Sequence, residues 1–264
     1  MKKEFSTAAF RSFKTFVGEL TATAAGIYIG IQEVLPSIDE LGLVDPWEFV
    51  AKKHKIKLTG LKSERVLSSA IRLNLVSLYS GLDLFFADTR GQFHLLHGKQ
   101  WKHFEGDSPF AAVARNTPST IQVHESRLGL GRIASLNYYR LVRNSIAHPS
   151  EEAEASAKKF YAENKELLAG TADSYGMESV PSQVDSLSFH DIKYLARLAL
   201  DLASAVDADF DPGNERLAAL VPKKILKLPK TEERLHNARK GWLSVTYGIK
   251  SERAEQILSL IKTH

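Results

Sequence analysis

Arg143, Asn144 and His148 are the residues whose types and spacing point most directly to chemistry. They lie in the run Tyr138, Tyr139, Arg140, Leu141, Val142, Arg143, Asn144, Ser145, Ile146, Ala147, His148, Pro149. Asn144 and His148 are four apart and share one face of a helix, so the amide is placed to steer the imidazole toward one tautomer and one direction. Arg143, beside Asn144 at the end of that helix, carries a side chain long enough to reach the same space and clamp a phosphate with two N–H donors. An imidazole that titrates near neutrality suits moving the proton of a ribose hydroxyl or of a leaving oxygen. Guanidinium and imidazole together are equipment for a phosphodiester.

The segment resembles the signature of the HEPN superfamily, the all-helical nucleotide-binding and ribonuclease domains found in higher eukaryotes and prokaryotes. That signature is an Arg, a polar residue directly after it, and a His separated from the Arg by four to six residues; Arg143, Asn144 and His148 match all three positions. The resemblance covers about residues 63–207, since the family also has a long helix before the motif helix and another well after it. It implies an endoribonuclease that uses no metal and no cofactor: the ribose 2'-hydroxyl attacks the adjacent phosphate, leaving a 2',3'-cyclic phosphate and a free 5'-hydroxyl. In that mechanism His148 is general acid or base, Arg143 stabilises charge on the phosphate and Asn144 orients the pair. The resemblance further implies a homodimer in which two motif helices face each other across one cleft. It also implies a toxin or antiviral defence effector cutting cellular RNA, with an antitoxin or defence-system protein as partner. The other function it allows is a non-catalytic module that binds a nucleotide, RNA or protein. One position departs from the pattern. Relatives paired with a nucleotidyltransferase antitoxin carry a modified Tyr two positions after the His, where this chain has Ser150, so adenylylation there is not expected. Arg90 and His97 satisfy the looser spacing, but they follow a turn in sequence without helical periodicity and are set aside.

The elements that position these residues read as helices. From Phe13, the residues Val17, Leu20, Ala24, Ile27, Ile31 and Val34 recur at steps of three and four, and Pro36 is expected to end that helix. Asp45 and Pro46 start a short helix reaching about His54. Ser63 and Glu64 open the longest periodic stretch, to about Ala87, with Leu67, Ile71, Leu75, Leu78, Leu82 and Phe85 as its core stripe. Asp83 interrupts a second row of Val76, Tyr79 and Phe86 and therefore needs a partner or water; it is the residue expected to support the site from outside the motif helix. Gly91 to Glu105 reads as a hairpin or irregular loop.

The motif helix begins near Leu130, with Ile133, Leu136, Tyr139, Val142 and Ile146 on one side. Tyr139 packs on that stripe, while Tyr138 is a candidate either to contact a base of the substrate or to pack. Residues 151–168 form a polar helix and 170–186 a loop. Ser188 and Asp191 then cap a helix whose stripe is Ile192, Leu195, Ala199, Leu202 and Val206. A boundary at Asp207 to Gly213 is followed by two short helices. The expectation is an all-α protein, an antiparallel bundle like that of HEPN domains over residues 61–210, with a helical extension at 1–60 and a basic helical tail at 211–264.

Composition narrows the classes. With 264 residues, 44% of them hydrophobic and 25% charged, the chain has the makeup of a globular protein that buries its own core. The absence of Cys closes off disulfides, thiol nucleophiles, iron–sulfur ligation and cysteine zinc sites. A net charge of +4 announces no nucleic-acid partner, although residues 222–264 carry ten Lys/Arg against four Asp/Glu. The longest apolar run, Ala24 to Ile31, falls short of the roughly 20 residues of a membrane span, and Arg11, Lys14 and Glu19 break any signal segment after Lys2 and Lys3. The expected setting is the cytoplasm, with no membrane partner. His94, His97 and His103 have no acid at useful spacing before Glu105 and Asp107 and make a poor zinc set. Trp242 to Ile261 is similar to a helix-turn-helix, but Glu252 and Glu255 would repel a DNA backbone, so a packing hairpin is expected. Lys223, Lys224, Lys227 and Lys230 read as a solvated basic stretch or a groove that tracks phosphates.

Overall fold

A computed structural model describes residues 5–117, 120–222 and 231–261. Lys223, Lys224, Lys227 and Lys230 lie outside the described residues. Every regular element among those described is a helix, so the chain is all-α: α1 (Ala8–Asp39), α2 (Pro46–Lys53), α3 (Ser63–His97), α4 (Pro109–Asn116), α5 (Ile121–Leu128), α6 (Leu130–Ala147), α7 (Glu151–Asp173), α8 (Phe189–Asp209), α9 (Asn214–Leu220), α10 (Glu232–Tyr247) and α11 (Ser251–Ser259).

Several boundaries differ from the expected ones for identifiable reasons. Pro36 does not end α1: proline forfeits only its own N–H, its carbonyl still accepts from the Glu40 N–H at 2.9 Å, and the helix runs on to Asp39. Likewise α3 continues through the stretch expected to be a hairpin. A helical glycine at Gly91 costs about 1 kcal/mol relative to alanine, whereas burying Phe93 and Leu96 stabilises by roughly 1.5–3 kcal/mol each, and both are buried. Gly98, at φ 65°, then closes the helix by donating its N–H to the His94 carbonyl at 2.8 Å. α7 runs past Leu168 to Asp173, and three described helices rather than two follow Gly213. Ser108 caps α4 through a bond from the Ala111 N–H, a start signal that the aromatic-rich sequence around it obscures.

The chain divides into two compact units, each assembled from separated segments. The first comprises Met1–Thr15, Leu82–Arg127 and Asp201–His264. Its core gathers Phe85, Phe86, Phe93, Leu96 and Phe210, with Phe93 edge-on to Trp101 and to Phe210. Polar ties fix its outer helices. Buried Asp207 accepts from the N–H and hydroxyl of Thr7, the cap of α1. Arg216 donates to the last carbonyls of α3, and Arg253 forms a two-pronged pair with Asp211. α10 and α11 form a helical hairpin turned by Gly248 in the left-handed region and clasped by Glu255 with Lys240 and His236.

The second unit comprises Phe16–Gly81 and Leu128–Leu200. Its centre is the α6–α7 pair, antiparallel because the short corner 148–150 leaves no other return path. Side chains of α7 pack so closely on α6 that a Cβ on Gly131 would lie 1.9 Å from Oγ1 of Thr171. Tyr138, Tyr139 and Val142 of α6 are fully buried, with Tyr138 against Tyr161 and Tyr139 against Tyr194.

α3 is long and apolar enough to cross a membrane by length and composition, at a mean hydropathy of 1.2 over its most apolar window, and half of that window is buried inside the protein. Its apolar residues are spread over a helical stripe and interleaved with polar ones, which is why a search for an unbroken run passes over it.

Candidate functional site

The C-terminal end of α6 is fixed by its flanking residues. Pro149 bars helical geometry at the residue before it, and His148 accordingly sits just past the last turn at φ −130°, ψ 72°. The His148 N–H still donates to the Asn144 carbonyl at 2.9 Å, so the imidazole hangs from the final hydrogen bond of the helix. Ser150 caps the next helix by accepting from the Ala153 N–H, and Glu151, Glu152 and Glu154 complement the positive end of α7. The side chain of His148 is exposed at this corner.

Arg143 and Asn144 are half-buried one turn earlier and joined to each other: Nη1 of Arg143 donates to Oδ1 of Asn144 at 3.0 Å. Because a guanidinium only donates, this bond fixes which way the amide faces. Nδ2 of Asn144 is left as a donor with no acceptor among the described residues. The amide therefore serves the guanidinium rather than the imidazole, contrary to the expected steering of His148; the link from Asn144 to His148 runs through the backbone. The Arg143–Asn144 pair lies one turn before an exposed imidazole, and residues of these types can bind an anion and exchange a proton.

The buried side of α6 is anchored by Asp191. This fully buried carboxylate accepts from the Tyr139 hydroxyl (2.8 Å), from the N–H and hydroxyl of Ser182 (2.8 and 2.7 Å) and from the N–H and hydroxyl of Ser188 (2.8 and 2.9 Å). It ties α6, the 174–188 segment and the start of α8 into one polar knot. Burial, followed by the Asp191 charge, pushes the Tyr139 phenol well above its ordinary value, and burial lifts that of Tyr194 to about 12, so these hydroxyls stay protonated donors.

Tyr138 is not available to a substrate base. It is fully buried, its ring packs on Tyr139 and Tyr161, and its hydroxyl donates to the Ser182 carbonyl at 2.5 Å. Asp83 belongs to the first unit, half-buried on α3 and already partnered. Arg90 and His97, set aside as non-helical, both lie on α3; His97 packs its ring against Phe93 and Phe210, and burial lowers its pKa. No group of three or more His, Asp and Glu among the described residues is arranged to hold a metal ion. A cleft of about 300 Å³ in the second unit is lined by Tyr161, Lys165, Asp173, Ser182 and Gln183, and none of the three signature residues lines it. Comparison with protein-family models, with curated proteins and with solved structures returns no match.

Proposed function

We propose that this chain is a metal-independent endoribonuclease of the HEPN type. The observation that carries the reading is the Arg143–Asn144 hydrogen bond at the helix end that bears an exposed His148. In the proposed reaction the 2'-oxygen of a ribose bonds to the adjacent phosphorus as its proton passes to a base. The bond from phosphorus to the 5'-oxygen breaks as that oxygen takes up a proton, leaving a 2',3'-cyclic phosphate and a 5'-hydroxyl. Arg143 and Nδ2 of Asn144 donate to the non-bridging oxygens, where charge accumulates, and His148 moves a proton. One imidazole cannot be acid and base in the same concerted step, so two copies of the chain, each bringing its α6 end, would supply both. The all-helical architecture supports the reading at the level of fold class, and a role as toxin or antiviral defence effector follows from the resemblance of the signature.

The test is incubation of the purified protein with total cellular RNA in EDTA, beside His148→Ala and Arg143→Ala. Cleavage by the native chain that survives chelation and falls by about 10²–10⁴-fold in each variant supports the proposal. A chain that binds RNA and cuts none of it is a binding module instead.

A further inference from the structure

The solvent face of α6 carries more than the three signature residues. Counting back from His148 in steps of four and three gives Asn144, Arg140 and Asn137, which share one helical face. The opposite face, with Ser135, Tyr138 and Val142, is buried. Asn137 is exposed and Arg140 half-buried. Arg143 has Asn144 as acceptor, but Arg140 has no hydrogen bond, ion pair or ring contact among the described residues. The other arginines of this unit include Arg72, bonded to the Val184 carbonyl, Arg132, over the Tyr175 ring, and Arg197, bonded to the Tyr175 carbonyl. A guanidinium with no acceptor on its own chain, on the same helical face as Asn144 and His148, is placed to receive an anion from outside.

We infer that Arg140 is a substrate-positioning residue that holds the phosphate next to the scissile one. Arg140 precedes Asn144 by four residues, about 6 Å along the helix axis, a displacement comparable with one nucleotide step of an extended strand. An RNA strand laid along α6 would place one phosphate at Arg143 and Asn144 and its neighbour at Arg140. The ground state and the transition state carry the same charge on that neighbouring phosphate, so Arg140 contributes uniform binding, whereas His148 acts only on the reacting centre. This inference rests on the nuclease reading for which phosphate is cut, but binding alone can test it.

The experiment uses the full chain and two probes. The first is a short mixed-sequence oligoribonucleotide methylated at every 2'-oxygen, which lacks the nucleophile; its affinity is measured by fluorescence anisotropy across a salt series. The second is the unmodified strand, for steady-state cleavage. Arg140→Ala is expected to weaken binding of the inert strand roughly tenfold and to flatten the log–log salt dependence by about 0.7, one phosphate contact on a single strand. On the cleavable strand it raises KM by a similar factor with kcat within about twofold. Arg140→Lys should recover the salt slope and part of the affinity, a rescue that a packing role would not give. If Arg140→Ala matches the native chain in affinity and salt slope while His148→Ala abolishes cleavage, the inference is overturned and the nuclease reading stands. If neither strand is cut but Arg140→Ala still lowers affinity and slope, the nuclease reading fails and Arg140 remains a phosphate-binding residue. If the native chain binds no strand, both fall.

Discussion

Tyr139 and Asp191, 52 positions apart, are joined inside the second unit by a 2.8 Å hydrogen bond from the phenol to Oδ1. Asp191 has four further donors, from Ser182 and Ser188, and is fully enclosed. Tyr139→Phe removes one donor to a charged acceptor and should cost about 1.5–3 kcal/mol of stability. Asp191→Ala orphans all five donors at once and should cost about 3–5 kcal/mol. Urea unfolding of the two variants measures both, and the order matters more than the values: an Asp191→Ala variant more stable than Tyr139→Phe would mean the carboxylate does not anchor α6.

Acid should weaken the first unit through His124. The ring is fully buried, with Nε2 3.4 Å from the Asp209 carboxylate, and Nδ1 has no partner among the described residues. Burial pulls its pKa below the ordinary 6.5, the Asp209 charge opposes this and Arg127 adds to the lowering. A histidine whose folded pKa is depressed favours the neutral form in the fold. Its stabilising effect is complete above the unfolded value and is lost as pH falls from there through the folded value. Melting temperature should therefore drop as pH is lowered below about 6.5, and His124→Gln should flatten that drop. An unchanged pH profile in the variant would acquit His124.

Gly131 lets α6 approach α7. A Cβ there would meet Oγ1 of Thr171 at 1.9 Å and Cβ of Thr171 at 3.2 Å. Overpacking of this size costs about 1–3 kcal/mol, which exceeds the roughly 1 kcal/mol that alanine gains over glycine in a helix interior. Gly131→Ala should thus destabilise, and pairing it with Thr171→Ala should restore stability, as read by chemical denaturation. A stabilised single variant would show that the two helices separate freely.

Much of this arrangement is legible in the sequence, and the exceptions have physical causes. The three- and four-residue spacing of Leu75, Leu78, Leu82 and Phe85 reports α3 because burial enforces it. The capping role of Ser188 and Asp191 is equally visible from residue type and position. The helicity of residues 91–97 is hidden because Gly91 and two histidines dilute a stripe that Phe93 and Leu96 in fact continue. Tyr138 is ambiguous for another reason: a phenol beside a functional motif looks the same in sequence whether its hydroxyl meets a base or the Ser182 carbonyl. That Asn144 serves Arg143 rather than His148 depends on rotamers, which spacing does not determine. Arg140 stands outside a signature that begins at Arg143, and only its step of four from Asn144 marks it as sharing the same helical face.

The Arg143–Asn144 bond separates two substitutions that would otherwise look alike. Asn144→Ala removes one acceptor of Arg143 and the Nδ2 donors. Asn144→Asp keeps an acceptor for Arg143 but puts a negative charge where the phosphate would sit. Asn144→Asp should therefore lower RNA cleavage further than Asn144→Ala, by about 10²–10³-fold against the native chain, with circular dichroism unchanged. Equal losses would indicate that the amide acts only by holding the guanidinium.

The most direct measurement is the chemistry of the ends left on RNA cut by the purified chain in EDTA. Fragments should carry 2',3'-cyclic phosphate at one end and 5'-hydroxyl at the other, and none should form with His148→Ala. Ends bearing 5'-phosphate and 3'-hydroxyl, or cutting that persists without the imidazole, would contradict the account.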